Sequence, residues 1–85
     1  MAPRDVWDQL QALRRRPHNL RPRDIMRVAE AAGWVHQRTT GSHAIYTKEG
    51  FPPNLSIKLH DLGGKLALRL LNLIEASLLM EEENQ

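Results

Sequence analysis

Two short runs of strand-forming residues, Trp34 to Thr40 and Ala44 to Lys48, meet at Thr39-Thr40-Gly41-Ser42. Small, turn-favouring residues between two such runs predict a β-hairpin. A hairpin constrains a short chain strongly. It sets two antiparallel neighbours in the middle of the sequence, and every other element must pack around them. With 85 residues, one domain is the most the chain can build, and its core must be small.

The hairpin lies between helical patterns. Ile25, Val28, Ala29 and Ala32 recur at i, i+3, i+4 and i+7, which predicts a helix from Pro22 to Ala32 with one buried stripe. Pro22 suits a first helical position, and Gly33 supplies the left-handed residue that closes the helix. A further helix is predicted from Pro3 to Arg16, with Val6, Leu10 and Leu13 on one stripe, Trp7 beside it, and Pro17 ending it. After the hairpin, Glu49 to Asn54 reads as a loop, because adjacent prolines at 52 and 53 oppose a ladder strand. Leu55 to His60 alternates as a third strand, and Asp61-Leu62-Gly63-Gly64 turns the chain. Lys65 to Leu79 is a leucine-rich helix, with Glu81 to Gln85 expected as a frayed acidic tail.

The order α-α-β-β-β-α predicts an α+β fold, an antiparallel three-stranded sheet with helices on one face, like a double-stranded-RNA-binding domain. One domain is expected over residues 1–80, with 1–19 an added helix and connector and 20–80 the core. Leu68 and Leu79 fall opposite the main apolar face of the last helix. The first helix would cover them, or a homodimer through the C-terminal helix, or they are scattered exposed leucines of the ordinary kind.

Several classes are excluded or disfavoured. The chain has no cysteine, so disulfides and thiolate metal sites are absent, which suits a reducing cytoplasm. The N-terminus lacks the apolar core of a signal peptide. Leu66 to Met80 is interrupted by Arg69, Asn72, Glu75 and Ser77, so no membrane span is expected. Charge is uneven: residues 1–38 hold eight arginines against four acids, and Arg14-Arg15-Arg16 with Arg21 and Arg23 is the densest basic cluster. Such a cluster can neutralise phosphates, or simply complement a helix end.

The helix end Arg23-Asp24-Ile25-Met26-Arg27 through Glu30 to Gly33-Trp34, followed by Gly41-Ser42-His43 and Ile45-Tyr46, then a strand ending in a histidine and a Leu/Ile-rich helix, resembles the HicA-type mRNA interferase toxins. The resemblance runs from about Leu20 to about Ser77 and leaves residues 1–19 additional. It implies a double-stranded-RNA-binding-like fold, cleavage of mRNA without a metal or other cofactor, and a HicB-type antitoxin as partner. It also implies that the catalytic residue is His43.

The chemistry agrees with that placement. RNA cleavage needs a base for the 2′-hydroxyl proton, an acid for the leaving 5′-oxygen, and cations at the phosphate. Imidazole serves in both proton transfers. Gly41 lets a phosphate approach its backbone N–H, and Ser42 adds a hydroxyl. Tyr46, Lys48, Lys58 and His60 are expected on the solvent face of the sheet, Tyr46 to stack on a base and the lysines to hold phosphates. Lys65 is a further electrostatic candidate. His18 reads as a loop residue and His36 as a strand surface residue. His36, His43 and His60 together would form a zinc site only if the fold gathered them. The competing reading is a non-catalytic RNA-binding or protein-adaptor module on the same fold.

Overall fold

The computed structural model describes residues 4–83. Its elements are α1 (Arg4–Arg14), a short 3-10 turn (Pro17–Asn19), α2 (Pro22–Ala31), β1 (Val35–Thr40), β2 (His43–Lys48), β3 (Phe51–Lys58) and α3 (Gly64–Glu83). The three strands form one antiparallel sheet in the order β1-β2-β3. The fold is therefore α+β with the order α-α-β-β-β-α. Pro3 and the last two residues of the acidic tail lie outside the described residues.

Local chemistry accounts for the helix ends. Arg21 has no acceptor to cap α2, so Asp24 takes that part: its carboxylate accepts the Arg21 backbone N–H at 2.9 Å. Pro22 occupies the first turn, where its missing N–H costs nothing. At the other end Gly33 has φ 96°. The Gly33 N–H bonds the Glu30 carbonyl and the Trp34 N–H bonds the Ala29 carbonyl, both at 3.0 Å. That pair is a Schellman closure, and it turns the chain straight into β1.

The Gly-Trp sequence has a second use. Trp34 is buried, and its indole N–H donates to Ser77 Oγ on α3 at 3.1 Å. The Ser77 hydroxyl in turn donates a hydrogen bond to the Ile74 carbonyl at 2.7 Å. Lys48 Nζ reaches the same hydroxyl at 3.4 Å and pairs with Glu81 at 3.1 Å. A buried polar cluster thus ties the start of β1, the end of β2 and the last third of α3 together. It also explains why α3 continues through Glu83, where a frayed tail was expected from Glu81 on. Lys48 holds that turn against the sheet.

Leu55, Ile57, Tyr46 and Ala44 from the sheet meet Ile25, Val28 and Ala29 of α2 and Ala67, Leu70, Leu71, Ile74 and Leu78 of α3 in one buried core. α1 adds Val6, Leu10 and Leu13 to it, packing on α2 and α3. Arg14 Nη2 pairs with Glu75 Oε1 at 3.2 Å across that contact. α1 does not cover the two surplus leucines of α3: Leu68 is half-buried outside the core, and Leu79 is exposed. Leu79 and Met80 remain exposed, at 47% and 39%. Two neighbouring side chains are far less than a stable interface needs, and they give no support to a homodimer.

Two sequence expectations about the sheet are corrected. First, β3 begins at Phe51, so Pro52 and Pro53 lie inside a strand and not in a loop. β3 is an edge strand, and the register slips there: Phe51 faces Lys48, and the next partners are Leu55 and Tyr46. The prolines fall in the irregular stretch between, where no ladder bond is lost. Second, Tyr46 is on the core face. It is 1% exposed, and its hydroxyl donates to Glu30 Oε2 at 2.9 Å. Lys48 shares that inward side, its side chain 7% exposed. The alternation in β2 runs opposite to the expected one: Ala44 and Tyr46 point in, and His43 and Ile45 point out.

Candidate active site

The inversion of β2 places His43 on the open face of the sheet. Thr40 and His43 are direct partners, so the β1–β2 turn is just Gly41 and Ser42. Gly41 has φ 59°, and Ser42 is not left-handed. Glycine at the first of two central positions suits a type II′ hairpin turn, which matches the twist of the strands it joins. His43 follows as the first residue of β2, half-buried, with Gly41 and Ser42 exposed beside it.

Register gives the neighbours of His43 on that face. Thr40 lies opposite on β1 and Lys58 opposite on β3. Directly opposed residues sit about 5 Å apart, so a hydroxyl, an imidazole and an ammonium form one row across the sheet. The next row is Arg38, Ile45 and Ser56. Arg38 is exposed and diagonal to His43, about 7 Å away at the backbone, within reach of a long side chain. Helices pack against the other face, leaving this one uncovered by the chain's own elements.

The remaining candidates separate. His60 is exposed on the segment that leads from β3, which ends before it, into α3, and Lys65 is exposed in the first turn of α3. That segment is tied to the hairpin, since the Leu59 N–H donates to the Ser42 carbonyl at 2.7 Å. They are thus at the same end of the molecule as His43. Tyr46 is removed from the set by its burial. Burial and the hydrogen bond to the Glu30 carboxylate push its hydroxyl pKa up to about 12. His36 is exposed on β1, with Nε2 3.1 Å from Thr39 Oγ1 and its ring 5.1 Å from that of Tyr46. Among the described residues no group of three His, Cys, Asp or Glu side chains is placed to hold a metal ion, and the three histidines of the zinc alternative are not gathered.

Arg38 and Thr40 were missed from the sequence. The signal was available in the turn. Taking Gly41-Ser42 as a two-residue loop, and not Thr-Thr-Gly-Ser as a four-residue one, pairs Thr40 with His43 and Arg38 with Ile45 at once.

The fold defines a class of compact α+β protein, three helices with a three-stranded antiparallel sheet, and here one sheet face carries His43 beside Lys58. The family described as HicA toxin of bacterial toxin-antitoxin matches residues 22–78, well over half of the chain, and the chain belongs to that family. It is thus a toxin of a toxin–antitoxin system, and membership implies a HicB antitoxin as its partner. No curated protein and no solved structure matches it. Among the described residues no helix is long and apolar enough to cross a membrane.

Proposed function

We propose that this protein is an endoribonuclease that cleaves mRNA by acid–base catalysis at His43, without a metal ion. The observation that carries the reading is the position of His43: on the bare sheet face, at the mouth of a Gly-Ser turn, directly opposite Lys58. In this reading the imidazole takes the proton of a 2′-hydroxyl. The 2′-oxygen then attacks the adjacent phosphorus, the bond to the 5′-oxygen breaks, and that oxygen leaves with a proton from water while the His43 imidazolium returns its proton to solvent. The products are a 2′,3′-cyclic phosphate and a 5′-hydroxyl. Gly41 offers a backbone N–H and Ser42 a hydroxyl to the phosphate, while Lys58 and Arg38 offset its charge as it builds in the transition state. His60 and Lys65 hold RNA nearby. The antitoxin covers the same face and so keeps the toxin inactive.

The test pairs two measurements on purified His43→Ala. Turnover on single-stranded RNA should fall by about 10²–10⁴-fold, the contribution of a positioned acid or base. The melting temperature should stay within a few degrees of wild type, because the ring is half-exposed and outside the core. His60→Ala should cost less, and chelator should leave turnover intact. Retained cleavage in His43→Ala, or no cleavage by wild type free of its antitoxin, would replace this reading with a non-catalytic RNA-binding module.

A further inference from the structure

The topology sorts charge to the two ends of the molecule. β1 ends, β2 begins and β3 ends at the His43 hairpin, and α3 starts there. α2 runs back along β1, so its first turn is also at this end. The connector between α1 and α2 joins them. His18 in that connector lies against Gly64, the first residue of α3, so closely that a Cβ at Gly64 would collide with the His18 ring. The connector is therefore fixed at the hairpin end and does not wander over the helices.

Around it stand Arg15, Arg16, Arg21 and Arg23, all exposed. Among the described residues none of the four is in an ion pair, whereas Arg14 is used internally on Glu75. The acids at this end are Asp24, engaged in capping α2, and Asp61. The opposite end carries Glu30, Glu49 and Glu81 to Glu83, located there by the Tyr46–Glu30 and Lys48–Glu81 contacts. Four exposed guanidinium groups within nine residues of chain concentrate positive charge at this end, which attracts a polyanion.

We infer that Arg15, Arg16, Arg21 and Arg23 form a phosphate track that holds the single strand flanking the cleaved bond, so that the segment added before residue 22 lengthens the RNA footprint of the toxin. This rests on the nuclease reading for its substrate. The guanidinium groups bind backbone phosphates and take no part in the proton transfers. Three of the four arginines lie outside the residues matched by the family.

The test replaces all four with glutamine in the full chain and compares two single-stranded RNAs, one of about 20 nucleotides and one of about 5. For the long RNA, KM should rise about tenfold with kcat unchanged. The short RNA should show no change. Each lost phosphate contact lowers the salt slope of log Kd on a single strand by about 0.7, so the slope should fall by about 3. Replacing the four with lysine should restore most of the affinity. An unchanged KM and salt slope on the long RNA would overturn the inference. So would a lysine variant as impaired as the glutamine one, which would mark the arginines as structural. Loss of antitoxin affinity with RNA affinity intact would also overturn it, assigning the surface to a protein. If the long RNA binds through these arginines but wild type does not cleave it, the nuclease reading falls and the track stands.

Discussion

Single residues in this protein often do a different job from the one their position in the chain suggests. Tyr46 is the case with the clearest consequence. It follows His43 closely, yet it is locked into the core with its hydroxyl on Glu30. It is the one tyrosine of the chain, so its ionisation can be followed by ultraviolet absorbance without overlap. The folded protein should titrate near pH 12, and the unfolded chain near the ordinary value of 10. The folded state favours the protonated hydroxyl. Its contribution to stability is therefore complete below pH 10 and is lost as pH rises from there through 12. A titration at the ordinary value would mean the ring is not buried on Glu30. Ser77 is the second case. Its hydroxyl serves Trp34, Lys48 and the Ile74 carbonyl at once. Ser77→Ala strands the indole N–H in the core and should cost about 2 kcal/mol in urea unfolding. A loss within error of zero would show that the indole finds another partner.

At the level of elements, the periodic patterns were legible because they rest on strong physics. The stripe in α2 and its Gly33 closure, the hairpin, and the apolar face of α3 all follow from spacing and from where glycine is needed. What was not legible depended on neighbours that a single strand cannot reveal. Which face of β2 is buried is a matter of parity, and parity needs a fixed register. Pro52 and Pro53 argue against a central strand, but only the sheet order says that β3 is at an edge. The length of α3 depended on Lys48, which lies 33 residues before Glu81. His43 was legible because glycine and serine mark the turn chemically. Arg38 comes into view only once Gly41-Ser42 is read as a two-residue turn, which sets its register against Ile45. α1 carries its own prediction. Leu10 is fully buried between α1 and the rest of the core, and Leu10→Ala should cost about 3 kcal/mol. Amides of residues 8–13 should be protected from exchange in the wild type and exchange much faster in the variant. Absence of protection in the wild type would mean that α1 does not stay docked.

At the scale of the whole molecule, the basic and acidic ends make the toxin an electric dipole with its histidine at the positive pole. Long-range attraction should orient RNA before contact, so the association rate should drop steeply as salt is raised. An antitoxin seated at this end, as proposed, should present acidic side chains to it. Co-expressed with that antitoxin, the toxin should be recovered as a stoichiometric complex, and His43→Ala should be recovered equally well, because the imidazole is one small part of the covered face. Recovery of the toxin alone would count against an antitoxin seated there. The two prolines of β3 bear on a different hazard. An open three-stranded sheet has two unpaired borders, each a template onto which another chain can add. Pro52 and Pro53 leave a gap in the donors of β3, whose free border is one of the two, and the register slips at the same stretch. An uninterrupted border of the same length would be a better template for a second copy. The prolines thus make one border of the sheet a poor place for another strand to add, which favours separate molecules over edge-to-edge pairing.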